Sequence, residues 1–250
     1  MTTISIPQNQ VWPERSSIMA ELFRHFFGGK STKALEVGVW YGIGSTNIWL
    51  DNLVSGSELF LIDSWRPYSS EDDLNDSEWN YRSMDQLSTD AFLSTFLNVR
   101  KFEESPRRDE VEISLMRGKS GIIMSALEKD SFDFIYIDGD HKYRNAKNDL
   151  IQAKRLIKKD FGIICGDDLE RLPTSELYEV AQAFPDKDYL RDPHHFHPGI
   201  LMATHEEFPN NLNMLKGFWW IACVDSEFVK VDLIRQGNQM HFALPNQVDA

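Results

Sequence analysis

The sequence predicts an α/β protein with a doubly wound, mostly parallel sheet, helices on both faces and a late antiparallel strand. Three observations predict it. A strand, a glycine-bearing turn, a helix and a second strand ending in an acid follow one another between Ala34 and Asp63. The apolar run Phe134–Ile137 stops abruptly at Asp138-Gly-Asp-His141. A further run, Phe161-Gly-Ile-Ile-Cys-Gly166, stops at Asp167-Asp168. Strands of parallel sheets are buried on both faces and read as continuous apolar runs. In open sheets of this kind ligands sit beyond the carboxyl ends of the strands. These runs would therefore deliver their acids to one crevice.

Bulk properties bound the reading. A chain of 250 residues, 42% of them hydrophobic, suits one domain over residues 1–250 with its own core. The formal net charge of −13 repels a phosphate backbone, so nucleic acid is not an expected partner. The short basic pairs, such as Lys154-Arg155 and Lys158-Lys159, read as a solvated helix face. Cys165 and Cys223 lie in apolar, strand-like runs and read as buried thiols. No basic start followed by an apolar stretch marks a signal peptide, and no run has the length of a membrane span. A cytoplasmic protein that does not bind membranes is expected.

Taken in order, residues 1–15 read as an arm interrupted by Pro7 and Pro13. With the helix that follows, they form an N-terminal unit over 1–30. Ser16-Ser17 can cap that helix, Ile18, Met19, Leu22, Phe23 and Phe26 share one face, and Gly28-Gly29 ends it. Ala34–Val37 is a strand, Gly38–Gly44 a turn, Ser45–Leu53 a helix and Glu58–Ile62 a strand that stops at Asp63. The stretch 64–110 is long for a strand-to-strand connection and reads as an insertion. It has a polar loop from Pro67 to Asp76 and a helix from about Thr89 to Val99, where Phe92, Leu93, Phe96 and Leu97 cluster. Val111–Met116 is a third strand that turns at Gly118-Lys-Ser120. Tyr143, Ala146, Leu150, Ala153 and Ile157 recur at helical spacing between Asp140 and Lys159. A helix over Leu177–Phe184, a loop rich in His and Pro over 185–210, and strands at Gly217–Val224 and Phe228–Leu233 complete the chain. The insertion and the 185–210 loop are the expected lid.

The glycine turn, Glu36-Val-Gly-Val-Trp-Tyr-Gly-Ile-Gly-Ser45, selects its ligand. In dinucleotide sites a second glycine lets the backbone approach a pyrophosphate. Trp40 stands in that place here and would obstruct it. Glu36 would repel phosphate and welcome a cation, to which Trp40 and Tyr41 could offer aromatic faces. Asp63 is placed to accept ribose hydroxyls. A nucleoside with a positive charge and no phosphate meets all these conditions, and S-adenosylmethionine is such a molecule.

On these residues the chain resembles the class I S-adenosylmethionine-dependent methyltransferases, which are Rossmann-like, from about Ala34 to Leu169 and more weakly to Val224. The resemblance implies cofactor contacts from Glu36, Gly38, Tyr41, Gly42 and Ser45 in the turn. It adds Asp63 with Ser64 at the ribose, Ser120 at the adenine, and Asp138. The block Asp138-Gly-Asp-His141 with Asp167-Asp168 is most similar to metal-dependent O-methyltransferases of natural-product sugars. These include the macrolide-sugar methyltransferases and proteins labelled cephalosporin hydroxylase-like. Lys158-Lys-Asp-Phe-Gly162 departs from their usual Pro-Gly turn.

Asp138, Asp167 and Asp168 offer the oxygen ligands that suit Mg2+, and a bound cation would acidify and aim a hydroxyl. The alternative is that these acids cap helices, a reading preferred for Asp140. His141, with an ordinary pKa near neutrality, is the candidate general base, the alternative being a brace for its loop. Asp138 and His141 are thus the candidate catalytic pair. His194, His195 and His197 lack a spacing that converges on zinc and are assigned to the lid. Phe218-Trp-Trp220 reads as packing, with substrate stacking by one tryptophan as the alternative. The expected activity is methylation of a hydroxyl on a small molecule, glycosylated or part of a glycan, and the resemblance is compatible with a homo-oligomer. Three alternatives stay open: a metal-independent methyltransferase, an NAD(P)-dependent oxidoreductase, and a non-catalytic protein that binds S-adenosylmethionine.

Overall fold

A computed structural model describes residues 13–67, 69–75, 81–106, 111–191, 193–209, 211–237 and 239–245. The arm expected over 1–15 therefore lies outside the described residues as far as residue 12, as do parts of the insertion.

The main sheet is built from β1 (Lys33–Val37), β2 (Ser57–Asp63), β3 (Val111–Arg117), β4 (Phe134–Ile137), β5 (Phe161–Leu169), β6 (Asn213–Leu215), β7 (Gly217–Val224) and β8 (Glu227–Val229). Its order is β3-β2-β1-β4-β5-β7-β6, with β8 beside β7. The first five strands run parallel, and β7 is antiparallel to β5. The strand order reverses between β1 and β4, which is where such sheets open a ligand crevice. The register is level there. Val37 pairs with Ile62 on one side and Ile137 on the other, and Ile137 pairs with Gly166. The residues that follow these positions emerge at one edge. A separate two-stranded sheet joins β9 (Asp232–Gln236) and β10 (Gln239–Ala243).

Two apolar layers cover the sheet. On one face lie α1 (Pro13–Phe27) and α2 (Ser45–Asn52), where Phe23, Phe27, Trp49 and Phe134 pack ring to ring. On the other lie α5 (Ser120–Ala126), α6 (Tyr143–Leu156), α7 (Ser175–Gln182) and α8 (Pro198–Glu207), packed over Ile135, Ile164 and Trp219. Each such side chain contributes about 1.5–3 kcal/mol when fully buried. The insertion between β2 and β3 folds into α3 (Glu71–Leu74) and α4 (Tyr81–Glu103).

Several sequence expectations change. Among the described residues α1 already runs from Pro13, ahead of the caps expected at Ser16 and Ser17, and proline is tolerated in a first helical turn because the donor it lacks is unused there. The polar loop of the insertion contains α3, started by a capping box in which Ser70 and Asp73 bond each other's backbone N–H. Helix α4 spans 23 residues, twice the expected length, and Leu93, Phe96 and Leu97 lie on its exposed side. The stretch 185–210 is not all loop: residues Pro198–Thr204 of α8 are buried against the sheet and α6. The segment at 228–233 divides between β8 and β9. Phe218, Trp219 and Trp220 are all buried, and the two indoles donate to the carbonyls of Asp167 and Val231, so they pack the sheet.

Candidate active site

The site lies where β1, β2, β4 and β5 end. Gly38 leaves β1 with φ +87, and a β-carbon there would overlap the carbonyl oxygen of Asp138. Only glycine lets the turn pass so close to the end of β4. Asp63 holds the turn from the other side. Its Oδ2 accepts from the backbone N–H of Val39 at 3.0 Å and Trp40 at 2.8 Å, and its Oδ1 from that of Trp65 at 2.7 Å. A carboxylate has about four lone-pair positions, so one on Oδ1 remains. Ser64, half-buried, follows it at the edge.

Glu36 is fully buried and faces α2. It accepts from Ser45 Oγ at 2.5 Å and Thr46 Oγ1 at 2.9 Å. Burial pushes its carboxyl up to about 8, against the pull of the two hydroxyls. Glu36 and Ser45 therefore grip each other and fix the start of α2 to β1. Tyr41 is buried, with Trp40 packed edge-on against its ring at 5.4 Å. From above, α4 holds the turn: Thr95 donates to the carbonyl of Trp40 at 2.8 Å, and Asn98 to that of Gly42 at 2.6 Å. Ser120, at the start of α5, donates to both oxygens of Asp149 on α6, at 2.7 and 2.9 Å.

The acids of β5 part company. A register shift between Gly166 and Leu169 bends the strand end, and Asp168 takes a left-handed φ of 63. Asp167 turns toward α1, where Arg15 pairs with it and also donates to the carbonyl of Lys216 at 3.0 Å. Burial and the neighbouring Asp168 push the Asp167 carboxyl up to about 7, with Arg15 opposing. Asp168 turns toward His141, whose Nε2 lies 3.0 Å from its Oδ2. The metal trio expected from sequence therefore divides. One ligand atom each from Asp138, His141 and Asp168 lies within 4.8 Å of the others, and Asp167 is engaged elsewhere.

His141 is clamped. Its Nδ1 lies 3.0 Å from Asp188 Oδ1, and its ring packs edge-on against His197 at 4.5 Å. Burial lowers the affinity of this imidazole for a proton. The charge and hydrogen bond of Asp168, with those of Asp188, outweigh that and raise its pKa well above the ordinary value. The reciprocal charges of His197 and His141 overcome burial and hold Asp168 well below the usual carboxylate range. Asp138 goes the other way: burial, then the charges of Asp168 and Asp167, raise it well above that range, although Tyr136 donates to it at 3.1 Å. Asp140 accepts from the N–H of Lys142 at 2.9 Å and so braces the approach to α6. Lys142 Nζ reaches Asp73 on α3 at 2.7 Å, which ties the insertion to this loop.

Sequence reasoning missed four participants: Arg15, Glu170, Asp188 and Tyr136. Glu170 fixes His197 through Nδ1 at 2.8 Å, and so brings one of the three loop histidines to the site. His194 packs on Phe196 instead. Only the position of Glu170, two residues beyond Asp168, was a sequence signal. Chemically, the arrangement offers hard oxygen ligands beside a proton-holding imidazole, at the edge where the glycine turn opens.

A family model described as a methyltransferase domain matches residues 35–169, from β1 to the end of β5. No curated protein matches the chain. The fold is similar to that of cofactor-bound Rv0187 from MTB, with 15% identity, a TM-score of 0.54, and 89% of this chain and 85% of that one covered. It is also similar to the O-methyltransferase TomG from Streptomyces achromogenes, involved in tomaymycin synthesis and solved with SAM. There the identity is 15% and the TM-score 0.51, over 88% of this chain and 83% of that one. At such identities the likeness is one of fold.

Proposed function

Because the chain belongs to the methyltransferase-domain family and has the class I methyltransferase fold, we propose that it transfers the methyl group of S-adenosylmethionine to a hydroxyl of a small molecule, with Mg2+ assisting. One observation carries this reading: Asp138, His141 and Asp168 converge within 4.8 Å at the edge where the glycine turn ends. The solved relatives hold their cofactor in the same fold, one of them with SAM and named for O-methylation.

The turn Gly38–Gly44, Asp63 with its remaining lone pair, Ser64 and the start of α5 at Ser120 would line the cofactor. Glu36 acts at one remove, by anchoring α2. The donor set fits a hard divalent cation, since two carboxylates crowd together and raise the pKa of Asp138. Asp138 and Asp168 would hold it. When bound there, the cation would acidify a coordinated hydroxyl and offset the carboxylate charge that keeps His141 protonated. With Asp168 turned from Nε2 to the cation, His141 would hold or take the hydroxyl proton at Nε2, while Asp188 fixes the ring through Nδ1. A hydroxyl on a sugar of a natural product or glycan is the first acceptor class, as the sequence resemblance implies.

Calorimetric titration of the whole chain with S-adenosylhomocysteine and, separately, NADH tests the cofactor assignment. Binding of the first alone is expected. Binding of NADH alone would replace the reading with an oxidoreductase.

A further inference from the structure

Helix α4 is furnished on two sides. Its inner side, Ser88, Ala91, Thr95 and Val99, is buried. Its outer side carries Leu93, Phe96 and Leu97, exposed by 50%, 45% and 64%. Residues three and four apart share a helix face, so these side chains form one stripe. Leu93 and Leu97 point away from Thr95, which grips the glycine turn, so the stripe faces away from the acceptor crevice. Of the seven large apolar side chains exposed among the described residues, three lie in these five positions. A concentrated apolar patch of this kind marks an association surface.

The charges around the stripe are self-complementary. Asp90 stands three residues before Leu93, and Arg100 three residues after Leu97. Let two copies of α4 cross antiparallel about a two-fold axis midway between the leucines. Leu93 of one copy then meets Leu97 of the other, and Asp90 meets Arg100, twice over. Arg100 already lies 3.0 Å from Glu104 and 3.7 Å from Glu103 of its own helix, and its five N–H donors leave room for a third carboxylate. With a net charge of −13, random contacts between copies are repulsive, so this local attraction selects one geometry.

We infer that the outer face of α4 is a self-association surface, on which a second copy of this chain docks antiparallel through Leu93, Phe96 and Leu97. The contact is isologous and closes as a dimer. Because α4 also holds the glycine turn through Thr95 and Asn98, the dimer braces the cofactor loop of each protomer.

Sedimentation velocity on the full chain tests this. The wild type sediments as a dimer, and Leu97→Glu as a monomer with an unchanged circular dichroism melt. Asp90→Arg and Arg100→Asp each weaken the dimer by about tenfold, since each sets like charges opposite one another at two places. An equal mixture of those two variants restores wild-type affinity as a heterodimer. A monomeric wild type, or a Leu97→Glu protein that dimerises as well as wild type, overturns the proposal. Failure of the mixture to recover overturns the antiparallel arrangement.

Discussion

The guanidinium of Arg15, near the start of the first helix, is ion-paired with the carboxylate of Asp167, 152 positions further along the chain. This pair decides which acid of β5 turns toward the candidate site. With Asp167 committed to Arg15, Asp168 is the one that meets His141 and Asp138.

Replacing Arg15 by Gln strands a buried carboxylate. Loss of one partner of a buried pair is costly, and the variant is expected to unfold about 3 kcal/mol more easily than wild type at pH 8. Urea denaturation measures this. The deficit shrinks as pH falls through 7, because Asp167 stands at about 7 with Arg15 beside it and higher without it, so that in both proteins it then takes a proton and no longer needs its partner. A deficit independent of pH would mean that Arg15 matters through packing alone.

Glu36 gives a second dependence on pH. Its folded pKa is raised to about 8 by burial, from an ordinary value of 4.5. Below the ordinary value both states are protonated and the contribution to stability is fully present. As pH rises, the unfolded chain releases the proton first, and stability declines until the folded group ionises near 8. Glu36→Gln keeps acceptor and donor atoms for Ser45 and Thr46 and removes this slope. Melting temperatures taken from pH 5 to 9 should therefore fall less in the variant than in wild type. Parallel curves would show that Glu36 does not keep its proton.

His141→Ala should lose methyl transfer by roughly 10²–10⁴-fold, the usual worth of a positioned acid or base. Affinity for S-adenosylhomocysteine should stay within about threefold of wild type, because His141 lies outside the glycine turn proposed to hold the cofactor. Turnover close to wild type across pH would leave His141 as a brace between Asp168 and Asp188.

The layout of the site could be read in the sequence because it depends on local pattern. Apolar runs that end in acids place Asp63, Asp138 and Asp168 at one sheet edge, and the spaced glycines place the turn that carries Trp40 beside them. What could not be read depends on distant partners. Nothing near Asp167 announces Arg15, and nothing near Asp188 announces His141. Helix α8 was hidden because Pro198–Thr204 is buried nearly all round, so no helical period shows. In α4 the cluster marks the helix but not its inward face: Leu93, Phe96 and Leu97 are exposed, and the inward face uses Ser88, Ala91 and Thr95, whose small side chains let the helix approach the turn. Short α3, of four residues, is started by the reciprocal bonds of Ser70 and Asp73, which composition does not reveal, and α5, of seven residues, has no side-chain cap that could announce it.

The measurement closest to the central claim is release of S-adenosylhomocysteine on a panel of glycosylated hydroxyl acceptors, with chelator and with Mg2+ restored. The account predicts turnover that the chelator abolishes and Mg2+ recovers in wild type, but not in Asp138→Ala or Asp168→Ala. Turnover on an acceptor that persists unchanged in the chelator, and in both variants, would contradict it.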